Sequence, residues 1–161
     1  MYGTITDYHA TSNRYNRGIM NHLPLKKAMI LQKALDKAGV ALETEHIYIR
    51  SDYGWGDNCD KSSNTIYVVA QDIFLHKPLG KEIVSITPTL SEMESLLPDV
   101  IVIGDLEYEI EMYRHKGTRF VTYVDLAEDE TIMTKTAPTL LESVYEALLW
   151  CLEEGYIQGK E

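Results

Sequence analysis

The sequence predicts an α+β fold, in which an antiparallel meander sheet has helices packed on one face and the elements follow the order α-β-β-α-β-β-β-α. The phrase Pro-Thr-Leu-x-Glu occurs twice, at residues 88–92 and 138–142. In each copy the threonine hydroxyl is placed to accept a hydrogen bond from an amide three residues on, as at a helix N-terminus. Apolar residues at helical spacing follow both copies, and several segments between them alternate in polarity as strands do.

Length and composition are those of one ordinary domain. The chain has 161 residues, of which 45% are hydrophobic, enough to form a core of that size. We predict a polar, tyrosine-bearing N-terminal arm at residues 1–23 and a single α+β domain at 24–161. No apolar run approaches the roughly 20 residues of a membrane span. Cys59 and Cys151 give no disulfide framework, so we expect a cytoplasmic protein that does not bind membranes.

The domain is predicted to begin with one helix and one strand. Apolar residues recur at helical spacing over 25–38, with Pro24 suited to the first turn and Gly39 to the end. Residues 45–50 alternate, which predicts a half-buried strand whose two isoleucines face the core and whose His, Tyr and Arg face outward.

A hairpin and a short helix are predicted next. A polar loop at 51–64 joins the first strand to an apolar run at 65–74, which predicts a strand–loop–strand hairpin. A short extended piece is indicated at 83–86. The first helix-start phrase then opens a helix over 89–97, which Pro98 ends.

The C-terminal part is predicted to be a three-stranded meander followed by the longest helix. Strands are indicated at 100–103, from 106 onward and at 118–126, with turns at 104–105 and 115–117, a polar loop at 127–136 and a helix at 139–154.

Three glutamates alternate along the middle strand of this meander. Glu107, Glu109 and Glu111 lie between apolar residues, and successive side chains of a strand point to opposite faces. We therefore expect the glutamates to form a solvent-exposed row. Residues 81–161 hold 17 acidic and 6 basic residues, a net charge of −11. This balance argues against binding to nucleic acid or to anionic membranes, because phosphate contacts need clustered Lys and Arg.

Two tryptophans complete the candidate interaction surface. Trp55 stands between two glycines in the predicted loop 51–64, where an aromatic side chain either packs back or meets a partner. The last helix is apolar over more than one face, and Trp150 widens its apolar stripe. The candidate surface is therefore Trp55, Glu107, Glu109, Glu111 and Trp150, and either a protein partner or a homo-oligomer is expected to use it.

The sequence predicts no catalytic, cofactor-binding or metal-ligating residue, and no cofactor. The five histidines are scattered without the short spacing of a metal site or catalytic dyad. Asp52, Asp57 and Asp60 crowd the loop 51–64, but their spacing does not match a calcium-binding EF-hand loop. No nucleophile elbow, P-loop or dinucleotide-binding glycine pattern is present. We therefore expect a protein that is not an enzyme.

Several of these segments carry a resemblance. Residues 88–98, the meander, and the ending Leu-Trp-Cys-Leu-Glu-Glu-Gly-Tyr-Ile at 149–157 resemble small uncharacterised proteins encoded by phages, prophages and mobile elements of gut-type bacteria. The segment 25–50 is similar as well. This resemblance covers about residues 24–157 and implies a location in the bacterial host cytoplasm. It implies no site residues.

Three functions remain open from the sequence. The leading hypothesis is a non-enzymatic accessory protein of a phage or mobile element that binds another protein or itself. The first alternative is an acidic DNA mimic that inhibits a host nuclease or defence protein, based on the row of strand glutamates. The second is a small-molecule or metal-binding domain that uses the loop 51–64.

Overall fold

Two four-stranded antiparallel sheets and three helices make up the part of the chain that the computed structural model describes, residues 3–4, 22–51, 65–70, 81–127 and 129–159. The predicted α+β class is confirmed. In chain order the elements are β1 (Gly3–Thr4), α1 (Leu25–Ala38), β2 (His46–Ser51), β3 (Thr65–Ala70), β4 (Lys81–Ile86), α2 (Leu90–Glu94), β5 (Val100–Ile103), β6 (Leu106–His115), β7 (Thr118–Asp125), β8 (Glu130–Ala137) and α3 (Leu140–Glu153).

The chain divides into two compact units. One combines Met1–Gln32 with Glu43–Thr89, and the other combines Lys33–Leu42 with Leu90–Glu161. The first unit holds the sheet of order β1-β3-β2-β4, and the second holds the sheet of order β5-β6-β7-β8. Most of the predicted arm lies outside the described residues, so the boundary between an arm at 1–23 and a domain at 24–161 stays a prediction.

The first unit contains the predicted hairpin, in which β2 pairs antiparallel with β3 and also with β4. Ile47 and Ile49 are buried as predicted. Tyr48 is buried too, so the expectation that it faces outward is wrong. Its hydroxyl donates to the Leu23 carbonyl at 2.7 Å, and the chain at Leu23 is itself held by a hydrogen bond to Pro88. Tertiary packing therefore covers both sides of the strand at this point.

Helix α1 has the bounds that the sequence predicts. Ala28, Leu31 and Leu35 are fully buried, which is the i, i+3, i+7 stripe of an amphipathic helix. Gly39 takes a positive φ of 69° just after the last turn, and the Val40 amide donates back to the Leu35 carbonyl. This is the usual glycine-based end of a helix.

The second unit contains one strand more than the sequence predicts. Residues 127–136 are expected to form a polar loop, but β8 occupies Glu130–Ala137 and pairs with β7 in register Tyr123 to Met133. The strand is rich in threonine, which is β-branched and suits a pleated surface despite its polarity. Met133 is buried, and its carbonyl accepts from the Thr122 hydroxyl at 2.8 Å. Pairing with β7 outweighs the polar composition, so the loop prediction is wrong.

The two helices of this unit differ in how well they follow the sequence. Helix α3 begins after Thr139, whose hydroxyl accepts from the Glu142 amide at 3.3 Å, as predicted for the second Pro-Thr-Leu-x-Glu phrase. Helix α2 is shorter than the predicted 89–97, since it ends at Glu94 and Ser95–Leu97 form turns. Helix α3 packs on β7, β8 and α2.

Candidate functional site

The second sheet has one covered face and one open face. The covered face carries buried side chains from all four strands, including Ile101, Tyr108, Val121, Tyr123 and Met133. Helix α3 packs on this face through a buried stripe that includes Val144, Leu148 and Cys151. The side chains between those positions point the other way, because a strand alternates its faces. They form the open face.

The open face carries the three glutamates of β6. Glu107, Glu109 and Glu111 are all exposed, whereas Tyr108 between them is buried. The sequence prediction of a solvent-exposed glutamate row is therefore confirmed. Because alternate residues of an antiparallel strand are about 6.8 Å apart, the row is about 14 Å long.

Exposed valines flank the glutamates on the side of β5. Val100 lies directly opposite Glu109, and Val102 lies directly opposite Glu107. These valines are 40% and 63% exposed. The carboxylates of Glu107 and Glu109 therefore stand beside uncovered aliphatic side chains, and acidic and apolar surface alternate across the two strands. These two valines are not part of the candidate surface that the sequence predicts.

The side of β7 adds uncharged neighbours to the same face. Val124 lies opposite Glu109, Thr122 opposite Glu111, and Phe120 opposite Tyr113. Val124 and Thr122 are themselves buried, so the open face is accessible along β5 and β6 but not at these two positions of β7. The rings of Tyr113 and Phe120 stack at 4.8 Å with an angle of 6° between their planes.

No lysine or arginine belongs to the open face within the described strands β5 to β8. Arg114, Arg119 and Lys135 occupy the register positions of the covered side. The three glutamates therefore have no basic cross-strand neighbour, and among the described residues none forms an ion pair with them. Within the described residues, the result is a row of negative charge without a basic partner.

A shallow depression of about 380 Å³ lies at one end of this row. It is lined by Asp105, Leu106, Glu107, Glu109, Asp125, Leu126 and Ala127. Asp125 is buried, and one of its carboxylate oxygens accepts from the Ala127 amide at 2.9 Å. Across the described residues no three His, Cys, Asp or Glu side chains are grouped closely enough to hold a metal ion. The depression extends the acidic surface of the open face.

A second concavity, of about 530 Å³, lies within the second unit. It is bordered by the C-terminal ends of α1 and α3 and by residues 157–159. Lys37, Gly39, Glu153 and Gly155 are among its lining residues. The Gly159 amide donates to the Ala38 carbonyl at 3.1 Å, and a Cβ at position 159 would overlap the Gly39 carbonyl. Lys37 and Glu153 are the only ionisable side chains among its described lining residues, so no set of convergent polar groups marks it as a ligand site.

Cys151, the cysteine in the described part of the chain, is unsuited to nucleophilic chemistry. Cys151 is fully buried, and its thiol donates to the Tyr123 hydroxyl at 3.9 Å. Burial raises the pKa of Cys151 to about 11, although the hydrogen bond to Tyr123 acts in the opposite direction. The thiol therefore stays protonated near pH 7, and the protonated form is not the nucleophile.

Trp150 of the candidate surface does not join the glutamate row. The Trp150 side chain is half-buried, with ring centroids 6.1 Å from Tyr123 and 5.1 Å from Tyr156. Trp55 and the loop residues 52–64 lie outside the described residues, so their predicted roles in binding stay predictions.

Two histidines of the first unit, His22 and His46, are in contact. In the first unit the rings of His22 and His46 meet edge to face at 4.8 Å. The two residues are 24 positions apart, and an isolated bridge between His22 and Thr89 holds the first of them beside the chain that follows β4. No local sequence signal predicts such a contact.

Comparison with known proteins returned no match. No family model, curated protein or solved structure matches this chain. In the part of the chain that the structure describes, no helix has both the length and the apolar composition needed to cross a membrane.

Proposed function

We propose that this chain is a non-enzymatic protein-binding module whose open sheet face binds a basic partner. The observation that carries the proposal is the row Glu107, Glu109 and Glu111, uncompensated by any basic neighbour on the described strands and bordered by exposed valines. Lysine and arginine have aliphatic stems and charged heads, so they complement valine and glutamate at the same time. The phage or mobile-element origin and the cytoplasmic location stay predictions.

The spacing of the carboxylates favours a macromolecular partner over a single ion. Alternate residues of a strand are about 6.8 Å apart, whereas ligands that share one Ca²⁺ lie within about 2.6 Å of it. Three carboxylates in a straight row can instead each meet a different cationic side chain. Exposed ion pairs contribute about 0.2–1 kcal/mol each, so three of them change affinity by about 3- to 150-fold.

Loss of the three charges tests the proposal. The triple variant Glu107→Gln, Glu109→Gln and Glu111→Gln keeps the shape of the face and removes its charge. The control replaces three exposed glutamates on α3 and at its C-cap, Glu146→Gln, Glu153→Gln and Glu154→Gln, with the same change in net charge.

Each protein is immobilised and exposed to a nuclease-treated bacterial lysate, and the affinity of each retained protein is then measured with purified material. We expect a basic protein that the wild type and the control retain but the face variant loses. Retention that is equal in all three would contradict the proposal. Affinity should also fall as salt rises, because exposed charges are screened over about 8 Å at physiological ionic strength.

A DNA mimic that inhibits a host nuclease or defence protein is the second candidate, because the same row offers regularly spaced negative charge. The two candidates differ in what they require of β5. A mimic needs the carboxylates alone, whereas the proposed module also needs the aliphatic surface of Val100 and Val102. Replacing both valines by threonine should weaken binding to a module partner and leave binding to a mimic partner within about twofold, since the charges are untouched.

A further inference from the structure

We propose that the partner binds by adding an extended, basic segment as a new strand along β5. This inference rests on the proposed function and specifies its mode of recognition. Such strand addition uses main-chain hydrogen bonds for affinity and alternate side chains for specificity.

β5 is an edge strand. It stands last in the order β5-β6-β7-β8 and pairs only with β6 among the described strands. Natural edge strands are commonly protected by lysine, proline or a covering segment. β5 reads Val-Ile-Val-Ile and has no such residue, whereas β8 at the opposite edge is rich in threonine and contains Glu130 and Lys135.

The register shows which backbone groups of β5 face outward. The Ile110 amide donates to the Asp99 carbonyl at 3.1 Å, which makes these two a hydrogen-bonded pair. Such pairs alternate with non-hydrogen-bonded pairs in an antiparallel ladder, so Ile101 is the next residue bonded to β6. Val100 and Val102 therefore direct their amides and carbonyls away from β6. Each of them offers one donor and one acceptor to an added strand.

The side chains of Val100 and Val102 determine where the partner's basic residues can lie. Adjacent strands lie about 4.8 Å apart, so an added strand would lie about 10 Å from β6, with the valines between. Lysine or arginine stems can cross Val100 and Val102 and bring their heads to Glu109 and Glu107, which lie directly opposite these valines. A segment with a basic residue at every second position matches this arrangement.

Charge selects this occupant over a second copy of the chain. Pairing of two β5 strands would bring the glutamate rows of both copies to one face, and residues 81–161 of each copy carry a net charge of −11. Like charges placed close together oppose association. A basic segment gains from the same field.

A backbone variant tests strand addition separately from charge. Val102→Pro removes one outward amide but no hydrogen bond to β6, and proline is tolerated at such edge positions. Val102→Thr is the matched control, because it keeps the amide and the β-branched shape. The probe is a synthetic ten-residue peptide that alternates lysine and valine. Two further copies are N-methylated at alternate amides, one at the lysine amides and one at the valine amides. Thermal melts of both variants verify that they are folded.

We expect Val102→Thr, which gives up part of the aliphatic contact, to bind the peptide up to about fourfold more weakly than the wild type. Val102→Pro should bind it at least about tenfold more weakly than Val102→Thr, because it also loses the outward amide. One of the two N-methylated peptides should lose affinity by a similar factor, because only one of the two alternate sets of amides faces β5. If Val102→Pro fails to fold, the two N-methylated peptides still test whether the peptide forms main-chain hydrogen bonds with β5.

Three results overturn strand addition. They are unchanged binding by Val102→Pro and by both N-methylated peptides, no binding of the peptide to the wild type up to about 1 mM, and a dimer of the wild type that Val102→Pro dissociates. If the triple glutamine variant loses the peptide while Val102→Pro keeps it, strand addition is wrong and the acidic face remains the binding surface. If both variants keep the peptide, the proposed function is wrong as well.

Discussion

Replacing Tyr123 by phenylalanine should measurably destabilise the second unit. Tyr123 is fully buried, and its hydroxyl donates to the Pro98 carbonyl at 2.7 Å while accepting from the Cys151 thiol at 3.9 Å. The substitution removes a single oxygen atom and leaves a partly buried carbonyl without its donor. An unsatisfied buried group costs about 1–3 kcal/mol, and the weaker thiol contact adds little.

The control is Tyr113→Phe, which removes the same atom from a side chain that is 46% exposed and stacked on Phe120. Changes at such surface positions are usually within about 0.5 kcal/mol. Urea unfolding followed by tryptophan fluorescence measures both variants. A Trp55→Phe background leaves Trp150, 6.1 Å from the Tyr123 ring, as the reporter of the second unit.

A loss of about 2 kcal/mol in the Tyr123 variant corresponds to about 8–16 °C in melting temperature for a unit of roughly 80 residues. Equal stability of the two variants would contradict this prediction. It would mean that the hydrogen bond from the Tyr123 hydroxyl to the Pro98 carbonyl contributes nothing to the stability of the second unit. Since the chain has two compact units, the transition reported by Trp150 is analysed separately rather than as one two-state step.

Three further predictions follow from local geometry. Thr139→Ala removes the oxygen that caps α3 and should cost about 1 kcal/mol in urea unfolding, whereas Thr139→Ser should restore it. Gly159→Ala should release the chain end from Gly39, because a Cβ there overlaps the Gly39 carbonyl; faster hydrogen exchange of the residue 159 amide would report it, and unchanged exchange would contradict it. In a Cys59→Ser background, Cys151 should resist thiol reagents at pH 8 without denaturant, because the thiol is buried. Burial raises its pKa from 9.0 to about 11, so the native state holds a proton that the unfolded chain loses; stability should fall as pH rises from 9 to 11, and less so in Cys151→Ala.

Features encoded in short segments could be predicted from the sequence. The cap at Thr139, the bounds of α1 and the glutamate row of β6 each depend on residues within a few positions of one another. Capping bonds, helical periodicity and strand alternation are local properties, so one sequence is enough to predict them.

Features that depend on distant partners could not be predicted. β8 is polar and becomes a strand because β7 pairs with it, and Tyr48 is buried because its hydroxyl bonds to the carbonyl of Leu23. The exposure of Val100 and Val102 likewise depends on parts of the chain that are distant in sequence. It requires β5 to be the last strand of its sheet, which is a matter of strand order and not of local pattern.

The central claim is that the open face of the second sheet is a binding surface for basic segments. A titration of ¹⁵N-labelled protein with the lysine–valine peptide, followed by two-dimensional NMR, tests it most directly. We expect saturable shifts confined to residues 100–111 and their β7 neighbours, with the largest changes at the amides of Val100 and Val102. Shifts centred on the α1 and α3 ends around Gly39 and Gly155, or no shifts at all, would contradict it.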